Sequence, residues 1–298
     1  MKRLTMLILT LGLMASGCGS KGASSLGAAP SGSPASPTAT GSASSSTSPS
    51  PTNTPTTTPP PTSSGQTVTF EVWFNYAGRL FVTQRTKPFT VAVGQAALDE
   101  LLSGPSSAEV NADVSTAFPA GTTSDITDLV GGTATIVVPN LFDFPAVGAG
   151  ASALRRLQLS QLVYTLTQYS TIDKVKVVSP VAGVVDGPAG RAAYDDLLPP
   201  ILVESPIVGE EASNPVTISG TADVFEAAVS VRILDENGNE IARTFTTATC
   251  GTGCRGDYSV SVAYTVDHEQ VGSIEVLDYS AKDGSPENVI AIPVILTP

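Results

Sequence analysis

TVTFEVWFNYAGRLFVTQRT, residues 67–86, alternates Val68, Phe70, Val72 and Phe74 with Thr69, Glu71 and Trp73. A period of two puts the first set on one face of an extended chain, so the stretch reads as a strand with one face buried. Ala77–Gly78 supplies a turn, and LFVTQRT (80–86) reads as the hairpin partner. The period then changes. In GQAALDELLSGP (94–105) Ala97, Leu98, Leu101 and Leu102 share one helical face, and Gly104–Pro105 ends the helix with a left-handed cap and a ring that cannot continue it. SDITDLV (124–130) and TATIVVP (133–139) follow as strands joined by Gly131–Gly132. A second helix carries Leu159, Leu162, Val163 and Leu166 at i, i+3, i+4 and i+7, with Arg155 and Arg156 turned to solvent. DKVKVVS (173–179) closes the set as a strand. The expectation for 67–198 is an α+β domain with both helices on one face of a small sheet.

From 199 to 298 the helical period disappears. ILVES, PVTISGTA, AAVSVRILD, EIARTFTTA, DYSVSVAYT, GSIEVLDYSA and NVIAIPVIL recur as short strands between turn residues, the pattern of a β-sandwich. DENGN (235–239) is the strongest turn signal, because Asn-Gly favours a tight hairpin. The next turn holds Cys250 and Cys254 in TCGTGCRG and is expected to pin its hairpin.

The chain begins MKRLTMLILTLGLMASGC (1–18), a basic start, an apolar run from Leu4 to Met14 and a small-residue box, which is the layout of an export signal. The apolar run is too short to span a bilayer core of about 30 Å. Ala15-Ser16-Gly17-Cys18 resembles the bacterial lipobox, which implies that Cys18 is lipidated and becomes the N-terminus. Residues 19–66 are almost wholly Ser, Thr, Pro, Gly and Ala and are expected to remain a disordered tether. Cysteine usage fits export: with Cys18 lipidated, Cys250 and Cys254 are left as a close pair, and a disulfide is the default outside the cytoplasm. Closing so small a loop contributes about 2 kcal/mol. A zinc site needs more ligands than two thiols, and the CxxC spacing of a redox pair is missing.

Residues 67–298 hold all 27 acidic residues against 12 basic ones, a formal charge near −15. Such a surface argues against nucleic acid and against anionic lipid or wall polymers as partners. Candidate chemistry is sparse. His268, the single histidine, is flanked by Asp267 and Glu269, but sequence neighbours point different ways and cannot both orient it in a relay. Adjacent carboxylates at Asp99–Glu100, Asp195–Asp196 and Glu210–Glu211 do not face each other across a cleft as glycoside hydrolysis needs. Asp235, Asn237 and Asn239 open like a calcium loop, but Glu240 stands where its glycine belongs and Thr246 at its twelfth position. Arg255-Gly256-Asp257 spells an adhesion tripeptide, a motif short enough to arise by chance. There is neither a Walker loop nor a dinucleotide fingerprint, and no catalytic residue, metal or cofactor is expected. Trp73, opposite Val72 and Phe74, forms with Tyr76 either a sugar-stacking platform or part of the packing.

LFVTQR, LLSGP (101–105), AFPAGT (117–122), GTATIVV (132–138) and QLVYTLTQ (161–168) occur in order and resemble the GerMN domain of the sporulation and spore germination family. RAAYDDLLPP (191–200) reads as an added hinge. ESPIVGE, VTISGTADVFEAAVSVRILDENG (216–238), GDYSVSV and DYSAKDGSPENVIAIPVIL resemble Gmad2, the immunoglobulin-like domain found beside GerMN. The resemblance implies an immunoglobulin-like sandwich behind the α+β domain and a non-enzymatic envelope lipoprotein, anchored through Cys18 on the outer face of the membrane. Its expected work is accessory or assembly contacts with an envelope protein. The alternative is a module that binds cell-wall glycan or peptidoglycan.

Overall fold

The computed structural model describes residues 65–138, 149–179 and 183–298, all within one compact unit that spans 61–298. The leader, Cys18 and the tether up to residue 64 lie outside the described residues.

In the first half, β1 (Thr67–Tyr76) and β2 (Arg79–Pro88) form the expected hairpin, with Trp73 opposite Val82 and Phe74 opposite Phe81. α1 (Val93–Ser103) buries Ala97, Leu98, Leu101 and Leu102. Gly104 ends it at φ 87°, ψ 177°: the φ is positive, as expected of a glycine cap, but ψ lies outside the left-handed helical well. The short α2 (Ser107–Asn111) and β3 (Val114–Ser115) follow, and β3 pairs with the end of β1. β4 (Asp125–Val130) and β5 (Thr133–Val137) turn through Gly131 and Gly132, both at positive φ, as a two-residue hairpin requires. β6 (Lys174–Ser179) runs parallel to β5, so the chain must cross over, and α3 (Ala149–Leu166) is that crossover. β7 (Gly183–Ala189) returns antiparallel to β6.

One small sheet was the expectation; two are present, in the orders β2-β1-β3 and β4-β5-β6-β7. The reason lies on α3 and the turn after it. Gln161 Nε2 donates to Trp73 O at 3.1 Å, and Trp73 N donates to Thr165 Oγ1 at 3.1 Å. Glu71 N donates to Gln168 Oε1, and Gln168 Nε2 donates back to Glu71 O, each at 2.8 Å. The edge of β1 that a further strand would occupy is thus filled by a stripe of polar side chains at i, i+4 and i+7. Gln158 and Gln161 extend it by holding the backbone C=O and N–H of Ala117, both at 2.9 Å. Gln158, Gln161 and Thr165 are buried, and an unpaired β1 edge there would cost about 1–3 kcal/mol per group.

A second buried polar cluster ties β2 to α2. Glu109, 2% exposed, accepts from Thr83 Oγ1 (2.7 Å), both Arg85 terminal nitrogens (2.9 and 2.6 Å) and Ser106 N (2.7 Å). Burial alone would raise its pKa. The bonds from Arg85, Thr83 and Ser106 outweigh that and bring it down to about 2.

The second half is the expected sandwich. β8 (Ile201–Ser205), β10 (Val216–Ala222) and β13 (Gly256–Val262) make one sheet, ordered β13-β10-β8 once β9 (Glu211–Ala212), β11 (Ala228–Leu234) and β12 (Glu240–Thr247) are counted in chain order. With β14 (Gln270–Tyr279) and β15 (Pro286–Leu296) the other sheet runs β12-β11-β14-β15-β9. Val229, Val231 and Ile233 point into the core while Ser230 and Arg232 alternate outward. Asp235 holds the β11–β12 turn by accepting from the backbone N–H groups of Asn237 and Asn239 at 2.9 and 2.8 Å.

Cys250 and Cys254 are disulfide-bonded. The loop does not pin a hairpin, because β12 and β13 belong to different sheets: it closes a crossover between the layers of the sandwich.

Candidate functional site at the junction of the two halves

Residues 191–200 do not form a hinge. Arg191–Ala193 and Asp195–Leu197 are single 3-10 turns, and Tyr194 between them is buried. Arg156 is turned to this segment rather than to solvent. Its guanidinium lies 5.6 Å from the Tyr194 ring centroid, donates to Ala193 O at 2.9 Å and pairs with Asp196. Tyr164 OH donates to Asp195 at 2.8 Å. From β2, Arg79 reaches Asp196 O (3.1 Å) and Leu198 O (3.0 Å). From the sandwich, Arg255 donates to Pro199 O at 2.6 Å and Thr221 Oγ1 at 3.2 Å. Three arginines from separate elements therefore fasten one short connector, and the RGD arginine is one of them rather than part of an adhesion tip.

Beside the connector lies a cavity of about 230 Å³ lined by Glu71, Trp73, Tyr164, Arg191, Glu204 and Arg255, among others. Arg191 lies 4.8 Å from the Tyr164 centroid and 5.5 Å from that of Trp73, and it donates to Tyr164 O and Thr167 Oγ1 at 3.1 and 3.0 Å. Burial raises the Glu204 carboxyl above its ordinary pKa, and the negative charges of Glu71 and Asp257 add to the effect. Burial likewise lowers the pKa of Arg255 and raises that of Tyr164.

Trp73 offers no open platform. It is 3% exposed, its ring is 4.8 Å from that of Tyr164 beneath Arg191, and Nε1 donates to Glu71 at 3.1 Å. Both faces of β1 are buried here, where the alternation indicated one. Tyr76 is half-buried, 6.1 Å from Phe81, and borders a separate, mostly apolar cavity of about 190 Å³ with Leu80, Pro199, Ile201 and Val289. The two aromatic residues thus reach the junction on different cavities and do not form one stacking surface. Arg191, Glu204 and Arg255 line the junction, yet no spacing pattern marks them, and the hydrogen-bond partners of Arg191 and Arg255 are 24 to 56 residues away in sequence.

Other candidate groups serve the fold. His268 Nδ1 meets Asp267 at 2.6 Å and Nε2 faces Glu236 at 3.5 Å, so carboxylates occupy both ring nitrogens and raise its pKa, Asp267 most. Glu100 pairs with Lys87 at 2.6 Å, and Asp99 accepts from Gln95 at 2.8 Å. Among the described residues there is no group of three His, Cys, Asp or Glu arranged to hold a metal, and no helix long and apolar enough to cross a membrane.

Residues 73–179 match Germane, the sporulation and spore germination family, and residues 200–285 match Gmad2, the immunoglobulin-like domain of bacterial spore germination. The chain carries a GerMN-type domain followed by a Gmad2 domain, and the connector described above is the boundary between them. Solved structures that resemble it include two from one protein. The tandem GerMN domains of the sporulation protein GerM from Bacillus subtilis align at 16% identity and a TM-score of 0.35, over 78% of this chain and 61% of that one. The first GerMN domain of the same protein aligns at 25% identity and a TM-score of 0.31, over 41% and 96%. Both superpositions are loose, and the assignment rests on the two family matches. No curated protein matches the chain.

Proposed function

We propose that this protein is a non-enzymatic accessory of the cell envelope, held on the outer face of the membrane by a lipid on Cys18, that assembles sporulation- or germination-type complexes through protein contacts. The observation that carries the reading is the succession of a lipobox-like leader, a polar tether, a Germane domain and a Gmad2 domain, with the last two bound by arginines into one body. The tether lets that body work at a distance from the bilayer: 48 residues span about 40 Å as a flexible coil and about 150 Å extended. The glycan alternative has lost its best support, because Trp73 is sealed in the junction.

The test uses the full-length protein solubilised from membranes, with purified cell wall offered in parallel. The expected outcome is retention of a defined envelope protein, and detergent-phase partitioning that Cys18→Ala abolishes. Retention on wall alone, competed by soluble glycan, would replace this reading with the glycan one; partitioning unchanged in Cys18→Ala would remove the anchor.

A further inference from the structure

At the connector end of the sandwich, two crossovers between the sheets lie side by side. Residues 223–227 pass from β10 to β11, and residues 248–255 pass from β12 to β13. They are bound together by Thr252 N to Val224 O (3.0 Å), Gly253 N to Asp223 Oδ1 (2.7 Å), Glu226 N to Thr252 Oγ1 (3.2 Å) and Ala248 N to Ala227 O (2.9 Å). The Cys250–Cys254 disulfide closes the second loop. Glu226, Ala227 and Thr252 all have φ near +54°, a conformation that side-chain-bearing residues avoid unless their surroundings impose it. A Cβ on Gly251 would stand 2.5 Å from Ala227 N, so only glycine permits the two loops to approach this closely.

This restraint does not serve burial of the residue at the tip. Phe225 is 54% exposed, with exposed Glu226 next to it. Asp223 belongs to the same loop pair and the exposed Asp257 stands at the start of β13 just beyond it, whereas Arg255, at the end of the second crossover, is engaged with Pro199 and Thr221. An aromatic side chain on a backbone already fixed loses little freedom when it is captured, which is how binding hot spots are built. The acidic surround disfavours an anionic membrane and a second copy of this acidic chain, and it favours a basic surface.

We infer that the stapled loop pair is a docking tip that presents Phe225 to a protein bearing an apolar pocket rimmed by Lys or Arg. This rests on the assembly reading and names the surface through which it acts. Photo-cross-linking in the exporting cell separates the two. p-Benzoylphenylalanine is placed in the full chain at position 225, at Val91, which is 94% exposed on the first half, or at Phe245, which is 74% exposed on β12. The expected result is a cross-link from position 225 to a separate protein, mapped to a Lys/Arg-rimmed apolar site. Its yield falls at least tenfold with Glu226→Lys, which leaves the staple intact, and with Cys250→Ser/Cys254→Ser. A yield at 225 no higher than at 245, insensitivity to Glu226→Lys, or capture of lipid or a second copy would overturn the inference. A protein cross-linked from 91 with 225 silent defeats this surface and leaves the assembly role; silence at all three positions defeats both.

Discussion

The two halves of the molecule satisfy their buried backbone by different means. The sandwich uses strand ladders, in which each hydrogen bond is backbone to backbone and the alternation of side chains sets the register. The GerMN half leaves one edge of β1 without a strand over Glu71 to Trp73 and closes it with Gln161, Thr165 and Gln168. Backbone ladders tolerate many side chains. A side-chain edge depends on each amide and hydroxyl in it, because low-dielectric surroundings make every orphaned group costly.

Chemical denaturation tests that contrast, with Trp73, the single tryptophan, reporting from the β1 edge itself. The largest effect is expected from Gln161→Leu, which strands Ala117 N–H and Trp73 C=O and costs about 4 kcal/mol. Thr217→Val, which breaks an exposed hydroxyl pair with Ser261 in the sandwich, stays within about 0.5 kcal/mol. Comparable losses at the two sites would erase the distinction.

The next effect is that of acid. Glu109 has a folded pKa of about 2 against an ordinary value of 4.5, so its contribution is complete above pH 4.5 and disappears as pH falls toward 2. The amount is about 3 kcal/mol, and Glu109→Gln removes that pH dependence. A wild-type stability that is flat through this window would show that the Arg85 cluster does not carry the carboxylate.

The smallest effect has the opposite sign. Glu204 is shifted upward, so its ionised form opposes folding at neutral pH and the penalty lifts as pH falls through its folded pKa. Glu204→Gln therefore raises the thermal midpoint at pH 7, and the gain fades in acid. A lowered midpoint would mean that the carboxylate is a needed partner at the junction.

Much of the sandwich was legible because its information is local. Val229, Val231 and Ile233 against Ser230 and Arg232 state a strand and its buried face within five residues, and Asp235 to Asn239 state the turn that follows. The β1–β2 hairpin and α1 were legible for the same reason. The division into two sheets was not, because nothing in the helical spacing of Gln161, Thr165 and Gln168 announces the strand edge they meet, some 90 residues earlier. RAAYDDLLPP read as a hinge because neither Arg79 nor Arg255 is near it in sequence.

By itself, then, the sequence determined the order and type of most elements, though not α2, β3, β7 or β9, together with the disulfide pair and the two family assignments, all of which rest on spacing along the chain. Tertiary structure alone decided that Trp73 is sealed beneath Arg191, that the connector is held rather than free, and that Phe225 stands out on a stapled tip. Those outcomes depend on which polar groups meet across long separations, and a buried donor or acceptor takes the partner that the fold delivers.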